Sequence, residues 1–154
     1  SWSSIIFKSS PNSLSASFNG LKSTDKSFLK VRNSTGDSNY GLIVGNGDTA
    51  ISMEHYSMSA KIEHGNNSGE LYYHDTQCHG MYTTVTNTSF VVKRIVKNTS
   101  MDDIIIKEAA LYGTGSTDLT GPIMFARALT GGAGVTIQPN ESAEFKFIFS
   151  SSLQ

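Results

Sequence analysis

Hydrophobic and polar residues alternate along most of this chain, and no helix-length window carries an apolar repeat every three or four positions. In "AEFKFIFSS", Phe145, Phe147 and Phe149 fall on one face and Lys146 and Ile148 on the other, the period-two pattern of a half-buried strand. The same alternation, or short β-branched and aromatic runs, predicts strands at Ser4–Lys8, Leu14–Phe18, Ser27–Arg32, Tyr40–Val44, Glu70–His74, Met81–Val85, Phe90–Lys97, Ile104–Leu111, Ile123–Ala128, Val135–Ile137 and Ala143–Phe149. Helical turns are expected only around Ser52–Ser59. Short strands separated by turn signals every 8–12 residues or so predict an all-β protein: an antiparallel β-sandwich, jelly-roll-like or immunoglobulin-like, with few or no helices.

The turns between these strands have identifiable chemistry. "GNGD" (Gly45–Asp48) and "GNNSG" (Gly65–Gly69) offer residues that tolerate positive φ, and "TGGAG" and "QPNE" punctuate the last strands. "NTSMDD" (Asn98–Asp103) is expected to join Phe90–Lys97 and Ile104–Leu111 as a strand pair. Residues 37–67 are the least regular and are expected to be loop-rich, where surface function usually sits. With no internal repeat, charge block or linker, residues 1–154 are expected to form a single domain.

Composition narrows the function classes. The chain has 154 residues, 38% of them hydrophobic and only 16% charged, so Ser, Thr, Asn and Gly must cover much of its surface. A net charge of −1 argues against holding nucleic acid by charge, which needs a basic footprint. Cys78 is the sole cysteine, so no intrachain disulfide forms. No run approaches the ~20 apolar residues of a membrane helix. The opening "SWSSIIFKSS" has neither a basic region nor a long apolar core, so no secretory signal is expected from it.

Candidate chemistry is sparse. No G-x-S-x-G elbow is present, and histidines at 55, 64, 74 and 79 give no cue to a catalytic triad. "HDTQCH" gathers His74, Asp75, Cys78 and His79, all ligand types suited to zinc, but their spacing matches no closed structural site. The preferred interpretation is a polar hairpin loop between strands ending near His74 and beginning near Met81. Asp102 and Asp103 are expected in a solvated turn rather than a calcium site. The N-x-S/T triplets at Asn33, Asn66, Asn87, Asn98 and Asn140 are taken as turn residues. Neither a metal nor a cofactor is expected, and no enzymatic activity. Tyr72, Tyr73, His74 and His79 form a candidate glycan-contact set, the basis of an alternative function as a carbohydrate- or receptor-binding module.

Glu108 is the anomaly. If Ile104, Ile106, Glu108 and Ala110 share a face, the carboxylate lies among aliphatic side chains. Unpaired burial would cost several kcal/mol, so a cation or a set of backbone donors is required. Arg94 and Arg127 are the candidate partners, since a guanidinium fork satisfies both carboxylate oxygens; a partner across a subunit boundary is the alternative.

The succession "FVVKRIVKNTSMDDIIIKEAALYG" and "PIMFARALTGGAGVTIQPNESAEFKFIFS" resembles the C-terminal half of small β-rich virion structural proteins of tailed bacteriophages. Upstream, "GLIVGNGDTAISMEHYSM" is similar to the element that precedes that half, with Glu54, His55 and Tyr56 where an acidic residue and a tyrosine are usual. The likeness covers about residues 41–150. It implies a non-enzymatic virion subunit: a capsid decoration or head-fibre protein, or a tail or adaptor protein. Such a subunit forms a homo-oligomer, a trimer being one candidate state, and packs on capsid, portal or tail subunits without nucleic acid or membrane. The alternative function would place it in a tail fibre. The implied motif positions are Lys107, Glu108, Leu111 and Arg127, with Asp48, Glu54, His55 and Tyr56 as an assembly or binding loop.

Overall fold

The alternation of the last strand fixes one wall of the core. In β9 (Ser142–Ser152), Ala143, Phe145, Phe147 and Phe149 are buried while Glu144, Lys146 and Ile148 are only half-buried. A computed structural model describes residues 2–9, 33–51, 57–83, 87–113 and 122–152. The other strands are β1 (Trp2–Ser9), β2 (Gly41–Gly45), β3 (Tyr72–Thr83), β4 (Asn87–Lys97), β5 (Ile104–Ile106), β6 (Glu108–Gly113), β7 (Ile123–Leu129) and β8 (Val135–Ile137). No helix occurs among the described residues, and the fold is all-β.

The strands form sheets of order β1-β9-β4-β3, β2-β6-β7 and β5-β8. All three feed one core: Tyr73, Val92, Val96, Phe145 and Phe147 from the first, Leu42, Val44 and Leu111 from the second, Ile104, Ile106 and Ile137 from the third. Full burial of each such side chain stabilises the fold by about 1.5–3 kcal/mol. Packed sheets sharing one core are what a sandwich requires. The pairing is antiparallel except that β1 lies parallel to β9, from Trp2↔Ser142 to Ser9↔Phe149.

Several expectations change in the structure. The predicted hairpin at "HDTQCH" does not exist: β3 runs straight through it, absorbing irregularities as register shifts at Tyr73/Thr76 and His79/Tyr82. A strand at a sheet edge can carry polar side chains on its open face, so polarity alone was a poor sign of a loop. The predicted strand Ile104–Leu111 breaks at Lys107. There the backbone leaves the β5-β8 ladder; Lys107 N donates to Gly45 O (2.9 Å) and Thr130 N donates to Lys107 O (2.8 Å). β4 pairs with β3 and β9 and not with β5, so "NTSMDD" crosses between sheets instead of closing a hairpin. Asn98, fully buried, holds that crossing: its Nδ2 donates to Asp102 O (2.7 Å) and Ile137 O (2.8 Å).

The glycines also divide. Gly69, Gly131, Gly132 and Gly134 do take positive φ, but Gly45 and Gly47 do not. Their lack of a side chain serves close approach, described below. The candidate strands Leu14–Phe18 and Ser27–Arg32 lie outside the described residues, as does most of the predicted helical piece; its remainder, residues 57–59, is not helical.

Candidate functional site

Glu108 begins the central strand β6, facing Gly45 of β2 and Leu129 of β7 in register. Both faces of β6 are buried, so the carboxylate has no route to solvent by side-chain rotation. Arg127 stands opposite Ala110, two positions along the same face, and its Nε donates to Glu108 Oε2 at 2.6 Å. Side-chain exposure is 3% for Arg127 and 0% for Glu108. Arg127 Nη2 also donates to Thr49 O (2.8 Å), which ties the segment after β2 to the pair. Above it, Lys107 Nζ meets Asp48 Oδ2 at 3.1 Å, and the Lys107 ammonium holds the Asp48 carboxyl below the usual carboxylate range.

The other carboxylate oxygen, Oε1, is buried with no hydrogen-bond partner among the described residues. It explains "GNG". A Cβ on Gly47 would sit 2.5 Å from Oε1, and one on Gly45 would sit 2.8 Å from it and 2.5 Å from Ala60 O. At Gly47 the carboxylate takes the space a side chain would need, and at Gly45 the Ala60 carbonyl and Met58 do so together with it. Nearby, Tyr112 Oη accepts from Met58 N (2.8 Å), and burial pushes the Tyr112 phenol up. A carboxylate locked onto a guanidinium and sealed from water cannot meet a substrate proton. This pair is a strut.

Arg94 is not Glu108's partner. It lies on the face of β4 that carries Val92 and Val96, 1% exposed, and its fork is spent on backbone carbonyls. Nε donates to His74 O (2.6 Å); Nη1 to Leu42 O (3.1 Å) and Tyr40 O (3.3 Å); Nη2 to Asp37 O (2.6 Å) and Ser34 O (3.4 Å). Its Cζ stands 4.6 Å from the centroid of the Tyr73 ring, a cation–π contact. Burial lowers the guanidinium pKa to about 10, against the opposing charges of Asp37 and Asp75, so it stays cationic at neutral pH. Arg94 clamps residues 34–42 onto β3.

Tyr73 is core, not a glycan contact. It is fully buried, its Oη donating to Ile62 O (2.9 Å) and accepting from Val44 N (3.2 Å). Tyr72 and His74 point the other way and remain half-buried, their rings edge to face at 5.3 Å, with His64 tilted against Tyr72 at 4.9 Å. His79 is exposed further along β3, opposite Val91. Cys78 packs against the core, so strand alternation turns its thiol away from the exposed His79. Among the described residues no group of three His, Cys, Asp or Glu side chains stands close enough to hold a metal.

Asp48 is exposed at the strut, whereas Glu54, His55 and Tyr56 lie outside the described residues. The Arg94 clamp was missed by sequence reasoning, although the signal existed. Period two puts Arg94 on the apolar face with Val92 and Val96, while Lys93 and Lys97 fall on the other. The bulge that presents His74 and Asp75 together left no such signal.

No known protein family, characterised protein or solved structure matches this chain.

Proposed function

We propose that this protein is a non-enzymatic structural subunit that assembles with copies of itself through the open edge of β1, as a component of a tailed-bacteriophage virion. The observation that carries the assembly reading is the difference between its sheet edges. An open strand edge presents unpaired N–H and C=O groups that another strand can meet. The β3 edge strand is shifted twice against β4, and β7 is shifted once against β6. Beside β2, Lys61 bridges to Gly45. β2 keeps register with β6 over only five residues, whereas β1 keeps it along β9 for eight, from Trp2 to Ser9, and among the described residues pairs with β9 only. It is the edge best shaped to accept a further strand.

The use of the buried charges supports a structural role: Glu108, Arg127 and Arg94 are all engaged in holding backbone or one another. Placement in a virion rests on the sequence likeness over about residues 41–150 alone. Sedimentation velocity of the full chain tests the assembly. A defined oligomer that dissociates when β1 is altered supports it; a monomer at every concentration contradicts it. Recovery of the chain from purified virions supports the location, and its absence from them contradicts it.

A further inference from the structure

We infer that the polar cleft at the β3 bulge binds a neutral saccharide unit. The bulge is the starting point. Tyr73 pairs with Val96 and Thr76 with Arg94, so one residue more stands on β3 than on β4 between these pairs. Tyr73 and Thr76 both face inward and are buried. The extra residue therefore turns His74 and Asp75 together toward the open face, which a regular strand cannot do.

Behind them the backbone is fixed. Arg94 Nε donates to His74 O (2.6 Å), and Thr76 N donates to Asn33 Oδ1 (3.1 Å). A bulge held from within by a buried guanidinium is preorganised, and groups that need not be ordered on binding lose less affinity.

In front of them is a cleft of about 230 Å³, lined by His74, Asp75, Gln77, Lys93, Arg94, Ile95 and Glu144. At about 30 Å³ per water this is the space of seven or eight waters, suited to a single sugar ring rather than a larger cofactor. Its charges are balanced. Lys93 lies 3.8 Å from Glu144, and Lys146 lies 2.9 Å from the same carboxylate, while Asp75 is exposed. An anion entering the cleft would meet Asp75 and Glu144, and a cation would meet Lys93. A hydroxyl both donates and accepts, and here it finds carboxylate acceptors and ammonium and amide donors side by side. Next to the cleft, the half-buried Tyr72 ring packs edge to face against His74 at 5.3 Å and supports that side chain at the cleft's rim.

The inference is independent of assembly through β1, since these residues lie on β3, β4 and β9, and a further strand would join the side of β1 that faces away from β9. The test applies the full chain to an array of neutral, sialylated and sulfated glycans, then titrates the strongest neutral saccharide into ¹⁵N-labelled protein. Binding of a neutral glycan is expected, with amide shifts centred on residues 74–77 and 93–95. Asp75→Asn and Gln77→Ala, both at exposed positions, should each weaken binding about tenfold or more with an unchanged melting temperature. Binding restricted to acidic glycans, no binding at all, or neutral-glycan binding untouched by both variants would each overturn the inference.

Discussion

Arg127 reaches Glu108 on the diagonal, from a position opposite Ala110, and the two side chains close a 2.6 Å ion pair where β6 begins. The pair lies beside the residue, Lys107, at which the chain passes from the small β5-β8 sheet to the β2-β6-β7 sheet. Removing one member strands a buried charge, which costs about 3–5 kcal/mol, whereas replacing both by apolar groups of similar volume is often neutral. Arg127→Met and Glu108→Leu should each lower unfolding free energy by that amount in urea titrations. The double variant should recover most of the loss, because the orphaned Oε1 disappears with the charge. Single variants that cost under about 1 kcal/mol would show that the pair is not a strut.

Glycine placement offers a second test. Gly47→Ala puts a Cβ 2.5 Å from Glu108 Oε1 and 2.6 Å from Ser59 Oγ. Overpacking of this kind costs about 1–3 kcal/mol. Gly131→Ala meets nothing within 4 Å, but its φ of +76° is left-handed, a cost of about 1–2 kcal/mol. Thermal unfolding should therefore show both variants destabilised, and only Gly47→Ala should release the Asp48–Ile51 segment to faster hydrogen exchange.

Arg94→Lys should not be conservative. Arg94 satisfies carbonyls of His74, Tyr40, Leu42, Asp37 and Ser34 from one planar fork. A lysine has three donors on a single nitrogen and cannot span them. At about 1–3 kcal/mol for each buried group left unsatisfied, a loss of about 2–4 kcal/mol is expected. Amides of residues 34–42 should lose protection first.

The tyrosines set an alkaline response. Burial pushes the Tyr73 phenol well above its ordinary value and raises Tyr112 as well. A group whose folded pKa is raised contributes stability that is complete below its unfolded pKa of about 10 and is lost as pH climbs toward the folded value. Arg94, lowered to about 10, shifts stability the opposite way over part of that window. Phenolate absorbance isolates the tyrosines: Tyr73 should stay protonated above pH ~10 and ionise only as the chain unfolds, and Tyr112 should titrate later than a free tyrosine. Tyr73→Phe should remove part of that late-titrating absorbance.

Much of the strand content was legible because period two is written directly into segments such as Ala143–Phe149, where alternate side chains are buried. Partnership was less so. Phe90–Lys97 and Ile104–Leu111 are neighbours in sequence, but the β-branched runs say nothing about which strand lies alongside, and β4 joins β9 instead. The break at Lys107 is set by hydrogen bonds to Gly45 and Thr130, distant in the chain, and no local pattern announces it. Glu108 signalled a buried charge through its apolar neighbours, yet choosing Arg127 over Arg94 needed the register. Polar strands were the hardest: "HDTQCH" has the composition of a loop and the backbone of an edge strand.

The proposed assembly places the contact between copies along the free side of β1. Adjacent backbone N–H groups of a strand point to opposite sides, so of Ile5→Pro and Ile6→Pro one removes a donor on the open side and the other a donor toward β9. Sedimentation velocity on the full chain and both variants is the direct measurement. The account predicts an oligomer for the natural sequence and a folded monomer for the open-side variant. A natural chain that sediments as a monomer at all concentrations, or an oligomer indifferent to both prolines, would contradict it.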